Sequence, residues 1–186
     1  MAGALAIPQV VAALVLCVAG AAKLRAPNAA ARAVRVDPRL VRLFAAGELG
    51  LGAVVLAVGG PLPAVMMAGL YAGFAIITLR LARVGEACGC FGAPQSPASP
   101  LQSALSGTVA AVCLLAAIGG ARSLGWILER SPGVVTVLGL GTAGAVYGVV
   151  LAYSELPQLW RAWSPAAGRL RPPPAVASLD GGRRQA

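Results

Sequence analysis

Residues 43–60 read LFAAGELGLGAVVLAVGG, and within those eighteen positions Glu48 is the single charged residue. A helix of that length rises about 27 Å, close to the roughly 30 Å hydrocarbon core of a bilayer. Four further runs, at about 5–22, 62–80, 100–120 and 132–153, reach a similar length once small polar residues are allowed. Unpaired backbone groups in hydrocarbon cost several kcal/mol each, and the short alternating segments of a membrane barrel are absent. The expected fold is therefore all-α, a polytopic transmembrane helix bundle of five spans. Composition points the same way. Hydrophobic residues make up 58% of 186 positions and charged residues 11%, whereas soluble domains carry about a quarter.

The limits of the runs are marked by turn and capping residues. The opening MAGALAIPQVV has no basic n-region, and Leu16 before Cys17 spoils a lipoprotein cleavage motif, so the first run is expected to be retained as a span. GGPLP at 59–63 gives the second and third spans a tight turn, because Pro61 and Pro63 cannot continue a helix. In SPASPLQ at 96–102, Ser99 has the position of an N-cap, Pro100 of the first helical residue and Gln102 of the third, a capping-box spacing. Gly69 with Gly73 and Gly144 with Gly148 have the GxxxG spacing that permits close helix approach, although small residues are common throughout this chain. Trp160 and Trp163 read as an interfacial aromatic pair. The organisation expected is a bundle over 1–153, with the extra span at 132–153, and a basic, Pro-rich disordered tail over 154–186.

Histidine is absent and there are six acids, which excludes a histidine-based triad and a His-rich zinc or haem site. The net charge of +9 is distributed between apolar runs and in the tail, without the basic patch and interleaved aromatics of a nucleic-acid surface. No nucleic-acid partner is expected; the lipid bilayer is. Thirteen basic residues fall on one side of a five-span topology: Lys23, Arg25, Arg32, Arg35, Arg39 and Arg42 in the first connection, Arg80 and Arg83 in the third, and Arg161, Arg169, Arg171, Arg183 and Arg184 in the tail. Arg122 and Arg130 fall on the other. The positive-inside rule then puts the N-terminus outside and the tail and third connection in the cytoplasm.

The residues able to do chemistry gather at one membrane face. AGAAKL at 19–24 closes the first span with Lys23 at the boundary, where its stem can lie along apolar surface. Glu48 is the only acid inside a span, six residues or about 9 Å beyond Arg42. An ionisable group there normally faces the bundle interior with a partner, and Lys23 is the partner expected. The third connection contains GEACGCFG at 85–92, with Cys88 and Cys90 one residue apart. Thiol exchange needs an accessible thiolate in basic surroundings, and Lys23, Arg80 and Arg83 belong to the same face. Gly89 suits the small ring of a Cys-x-Cys disulfide, whose strain would favour exchange over a structural staple. A soft metal would also accept two thiolates. Cys17, about 9 Å deeper than Lys23, and Cys113, about 20 Å along its helix from Pro100, do not complete such a site. They read as inert core residues, and neither a metal nor a cofactor is expected.

AGAAKL, GELGLG at 47–52 and CGCFG at 88–92 together resemble the MauE branch of the DoxX-like membrane proteins, over roughly residues 5–120. The most specific element is Cys88-Gly89-Cys90-Phe91-Gly92 arriving after three spans. The resemblance implies a small helical bundle, here a four-helix core plus a fifth span, with a redox association, MauE being linked to maturation of the disulfide-rich methylamine dehydrogenase light subunit and DoxX relatives to membrane thiol and sulfur metabolism. It implies Cys88 and Cys90 as the reactive pair, with Lys23, Glu48, Gly89, Phe91 and Gly92 supporting them. A thioredoxin-like protein or a maturing client would be the partner. Many members carry an Arg-Asn pair near the head of the fourth span, where this chain has Gln102-Ser103. A different reading stays open: a small-solute transporter or passive membrane scaffold with incidental cysteines, Glu48 and Lys23 lining a polar cavity.

Overall fold

The computed structural model describes residues 5–85, 98–120 and 122–155. The dithiol segment (Cys88, Gly89, Cys90, Phe91, Gly92), Trp160, Trp163 and nearly all of the expected tail lie outside the described residues. Seven helices are described: α1 Ala6–Arg25, α2 Pro27–Val34, α3 Pro38–Ala57, α4 Pro61–Val84, α5 Pro100–Gly119, α6 Leu124–Leu128 and α7 Pro132–Ser154. Five of them, α1, α3, α4, α5 and α7, are long and apolar enough to cross a bilayer. The fold is a polytopic helical bundle.

Local chemistry sets the helix ends. Asp37 caps α3 by accepting a hydrogen bond from the Arg39 backbone N–H at 2.7 Å, and Pro38 follows as the first helical residue. The second span thus begins five residues before its apolar run, because the capping pair precedes Arg39 and Arg42 instead of following them. The third extends to Val84, past the apolar run, and stops where Gly85 turns left-handed. At α5 the capping box is complete: Ser99 Oγ accepts from the Gln102 N–H, and the Ser99 N–H donates to Gln102 Oε1. Gly59 and Gly60, both at positive φ, make the α3–α4 turn. Gly59 is further constrained, since a Cβ there would lie 2.6 Å from the backbone nitrogen of Ser123.

Helix α2 occupies the first connection, which the sequence leaves as a loop. Eight residues are too few to span. Its apolar side, Ala30 and Ala31, is buried with Val41 of α3 while Arg32 is exposed, so α2 lies along the end of the bundle.

α1 is the most buried of the spans and packs chiefly on α3, while α4 packs chiefly on α5. The core joins Ala13 and Leu16 of α1, Val55 of α3, Met67 and Tyr71 of α4, and Cys113 of α5. Tyr71 adds a polar tie, its hydroxyl donating to the Ala12 carbonyl at 2.7 Å. Two glycines allow α1 and α3 to approach. A Cβ on Gly20 would come 2.9 Å from the Ala45 carbonyl oxygen, and one on Gly52 would come 2.5 Å from Cys17 Sγ and 3.0 Å from the Ala13 oxygen. The GxxxG positions do not have this role: a Cβ on Gly69, Gly73, Gly144 or Gly148 would meet nothing within 4 Å. They point away from neighbouring helices, so their spacing reflects composition and not an interface within the chain.

Gly52→Ala should therefore cost about 1–3 kcal/mol, the usual range for overpacking, read as a lowered unfolding midpoint in detergent. Adding Cys17→Ala should restore part of the loss, while Gly69→Ala and Gly144→Ala should leave the midpoint unchanged or raise it slightly.

Candidate functional site

Lys23 lies in the last turn of α1 and Glu48 midway along α3, and the close α1–α3 packing brings them together. Lys23 Nζ donates to Glu48 Oε1 in a buried ion pair. The lysine is 7% exposed and the glutamate 1%. Lys23 thus turns its ammonium inward to the acid instead of out to the headgroups. Gly20 makes this geometry available. It lies one turn before Lys23, and its missing side chain leaves room for Leu49 and the Glu48 Cβ.

The third side of the pair comes from α4. Lys23 Nζ is 4.6 Å from the centroid of the Phe74 ring, a cation–π contact in a desolvated setting. Phe74 is itself fixed by two edge-to-face contacts, with Phe44 at 6.2 Å and Tyr71 at 5.9 Å between ring centroids. Three spans therefore converge on one charge-neutral centre. Glu48 Oε2 is buried and has no hydrogen-bond partner among the described residues.

Two cavities flank this centre. One, of about 300 Å³, lies among the end of α1, α2, the start of α3 and the last turns of α4, with Lys23, Ala30, Val41, Phe44, Phe74 and Leu81 among its lining residues. The other, of about 640 Å³, lies between α3 and α4 against Phe44, Glu48 and Met66. Because Leu81 shares a cavity with Lys23, the last turns of α4 stand at the same end of the bundle as the end of α1 and the start of α3. The chain leaves α4 at Gly85, three residues before Cys88.

Of the remaining cysteines, Cys113 is fully buried in the core and Cys17 half-buried against Gly52, both as free thiols. Gln102 and Ser103 are engaged in packing. Gln102 Nε2 donates to the Tyr153 carbonyl at 2.7 Å, and Ser103 Oγ donates to the Ala75 carbonyl at 2.7 Å. Sequence reasoning missed Phe74 and Gly20. Phe44 carried a signal, lying one helical turn before Glu48 in a chain with three phenylalanines.

Removing one member of a buried pair leaves the other charge uncompensated, typically at about 3–5 kcal/mol. Glu48→Gln and Lys23→Met should each destabilise the bundle by an amount in that range, read as a lowered unfolding midpoint in detergent. The double variant should be more stable than the sum of the two losses allows; additive losses would show that the side chains do not interact.

The family model for the methylamine utilisation protein MauE matches residues 1–127, which include α1, α3, α4, α5, the ion pair and the Cys-Gly-Cys motif. No curated protein and no solved structure matches the chain. The match extends over 127 of 186 residues and takes in every span of the four-helix core, and the chain belongs to the MauE family of multi-pass membrane proteins.

Proposed function

We propose that this chain is a membrane thiol–disulfide exchange protein, with Cys88 and Cys90 as the reactive pair and a maturing client or thioredoxin-like protein as partner. The observation carrying this reading is the position of Cys88-Gly89-Cys90 within the family match, beginning four residues after α4 ends at Val84. Covalent reach alone keeps Cys88 within about 11 Å of Gly85. The turns leading to it contribute Arg80 and Arg83, positive charge of the kind that favours the nucleophilic thiolate. Lys23 and Glu48 act as positioning residues, holding the end of α1 and the middle of α3 against α4, the helix that leads into the segment. Bundle residues 1–153 form the working unit, with 154–186 as a basic tail.

In the exchange, one cysteine thiolate attacks a sulfur of the client disulfide, whose other sulfur leaves as a thiolate. The second cysteine, having given up its proton, attacks the chain's own sulfur in that mixed disulfide and expels the client's second thiolate. Two electrons pass to the client, and Cys88 and Cys90 become joined. Run in reverse, the same steps oxidise a client dithiol.

A single Cys88→Ser or Cys90→Ser variant removes the resolving thiol and should accumulate a covalent adduct in cells, separable by reduction. Cys17→Ser and Cys113→Ser should form none. If neither loop variant traps a partner and the double variant fully complements a deletion strain, exchange is excluded and the flanking cavities favour solute transport.

The thirteen-to-two distribution of basic residues supports a cytoplasmic dithiol. A membrane-impermeant maleimide should accordingly label Cys90 in lysed cells and spare it in intact ones. Equal labelling in both would reverse the orientation.

A further inference from the structure

From the smaller cavity beside the ion pair we infer a binding site for a neutral, lipid-soluble molecule that carries a carbonyl on an otherwise apolar body. The cavity, about 300 Å³, is at the lower end of the range for small-molecule sites. Among the described residues lining it, Lys23 is the only one with a polar side chain, and the walls come from α2, α3 and α4 through Ala30, Val34, Phe44, Phe74 and Ile77. An ammonium has three donors. Among the described residues, Lys23 Nζ gives one hydrogen bond, to Glu48 Oε1, and faces Phe74 of the cavity wall.

The charge state of the pair selects the ligand class. Lys23 and Glu48 balance each other in a site from which water is largely excluded. An anionic headgroup would leave a net buried negative charge, and a cation would leave a net positive one, each at a cost of several kcal/mol. A pure hydrocarbon would fill the apolar walls but leave the donors of the ammonium unused. A neutral carbonyl meets both conditions, accepting from Lys23 without disturbing the pair. The inference is argued from Lys23 and the cavity walls alone and draws nothing from Cys88 or Cys90.

A long-chain alkyl benzophenone, itself a neutral ketone, serves as the probe on the full chain in vesicles of neutral phospholipid. Photolabelling should saturate and map to cavity residues such as Val34, Phe44 or Ile77. An unlabelled long-chain ketone should compete at about ten-fold lower concentration than the alkane of equal length, as one hydrogen bond to a charged donor provides. The matching carboxylate should compete no better than the alkane. Ile77→Trp, at a half-exposed position whose enlargement fills the cavity, should abolish saturable labelling while the protein keeps its unfolding midpoint. Lys23→Met combined with Glu48→Gln, which removes both charges together, should bind ketone and alkane alike. The Cys88→Ser, Cys90→Ser variant should label as the parent does, which separates this site from the exchange reading. Labelling that does not saturate, that persists in Ile77→Trp, that the carboxylate displaces as well as the ketone, or that keeps its ketone preference without the ion pair would overturn the proposal.

Discussion

A lysine and a glutamate share one buried contact in a molecule whose surroundings are built for hydrocarbon, and much of the architecture follows from holding them there. Either charge alone would be unsupported in a medium of low dielectric. Paired, they form a compact dipole whose exposed side is covered by the Phe74 ring. The arrangement requires α1 and α3 to pack more closely than side chains usually permit, which Gly20 allows one turn from the lysine. It also requires α4 to present an aromatic ring at the same depth. The pair thereby fixes the relative register of three spans at one end of the bundle, and the core of Leu16, Val55, Met67 and Cys113 continues that register deeper in.

The spans were legible because lipid leaves the backbone few choices: an apolar run of sufficient length must be a helix. The pairing of Lys23 with Glu48 was legible for a related reason, as an acid in a span needs a neighbour and one basic residue ended the preceding helix at a similar depth. The capping box at Ser99 and Gln102 is read from three residues because its hydrogen bonds are local. Packing glycines are not local in this sense. Gly69 and Gly73 have the right spacing, yet they face away from the bundle, whereas Gly20 and Gly52 are isolated on separate helices and meet their neighbours only across the α1–α3 contact. Spacing along one helix cannot show which face a second helix will choose. α2 was missed because eight residues, with a proline and few large apolar side chains, carry little helical pattern until Val41 covers them.

The polar residues near the head of α5 illustrate how the bundle disposes of hydrogen-bonding groups away from the ion pair. Ser103 donates to a carbonyl of α4, and Ser106 shares a hydrogen bond of 2.9 Å with the Tyr153 hydroxyl. Each is a short side chain satisfied across a helix contact, the form of polar contact common inside membrane bundles. The first joins α5 to α4 and the second joins α5 to α7, both through uncharged side chains.

Tyr153 carries this network onto the fifth span. The tyrosine is on α7, beyond the residues shared with the family, and α7 is the least buried of the five spans. Its carbonyl takes the Gln102 amide and its hydroxyl meets Ser106. A bundle ending after α6 would turn that amide N–H and that hydroxyl toward acyl chains, so the polar head of α5 can sit inside the bilayer because the fifth helix answers it.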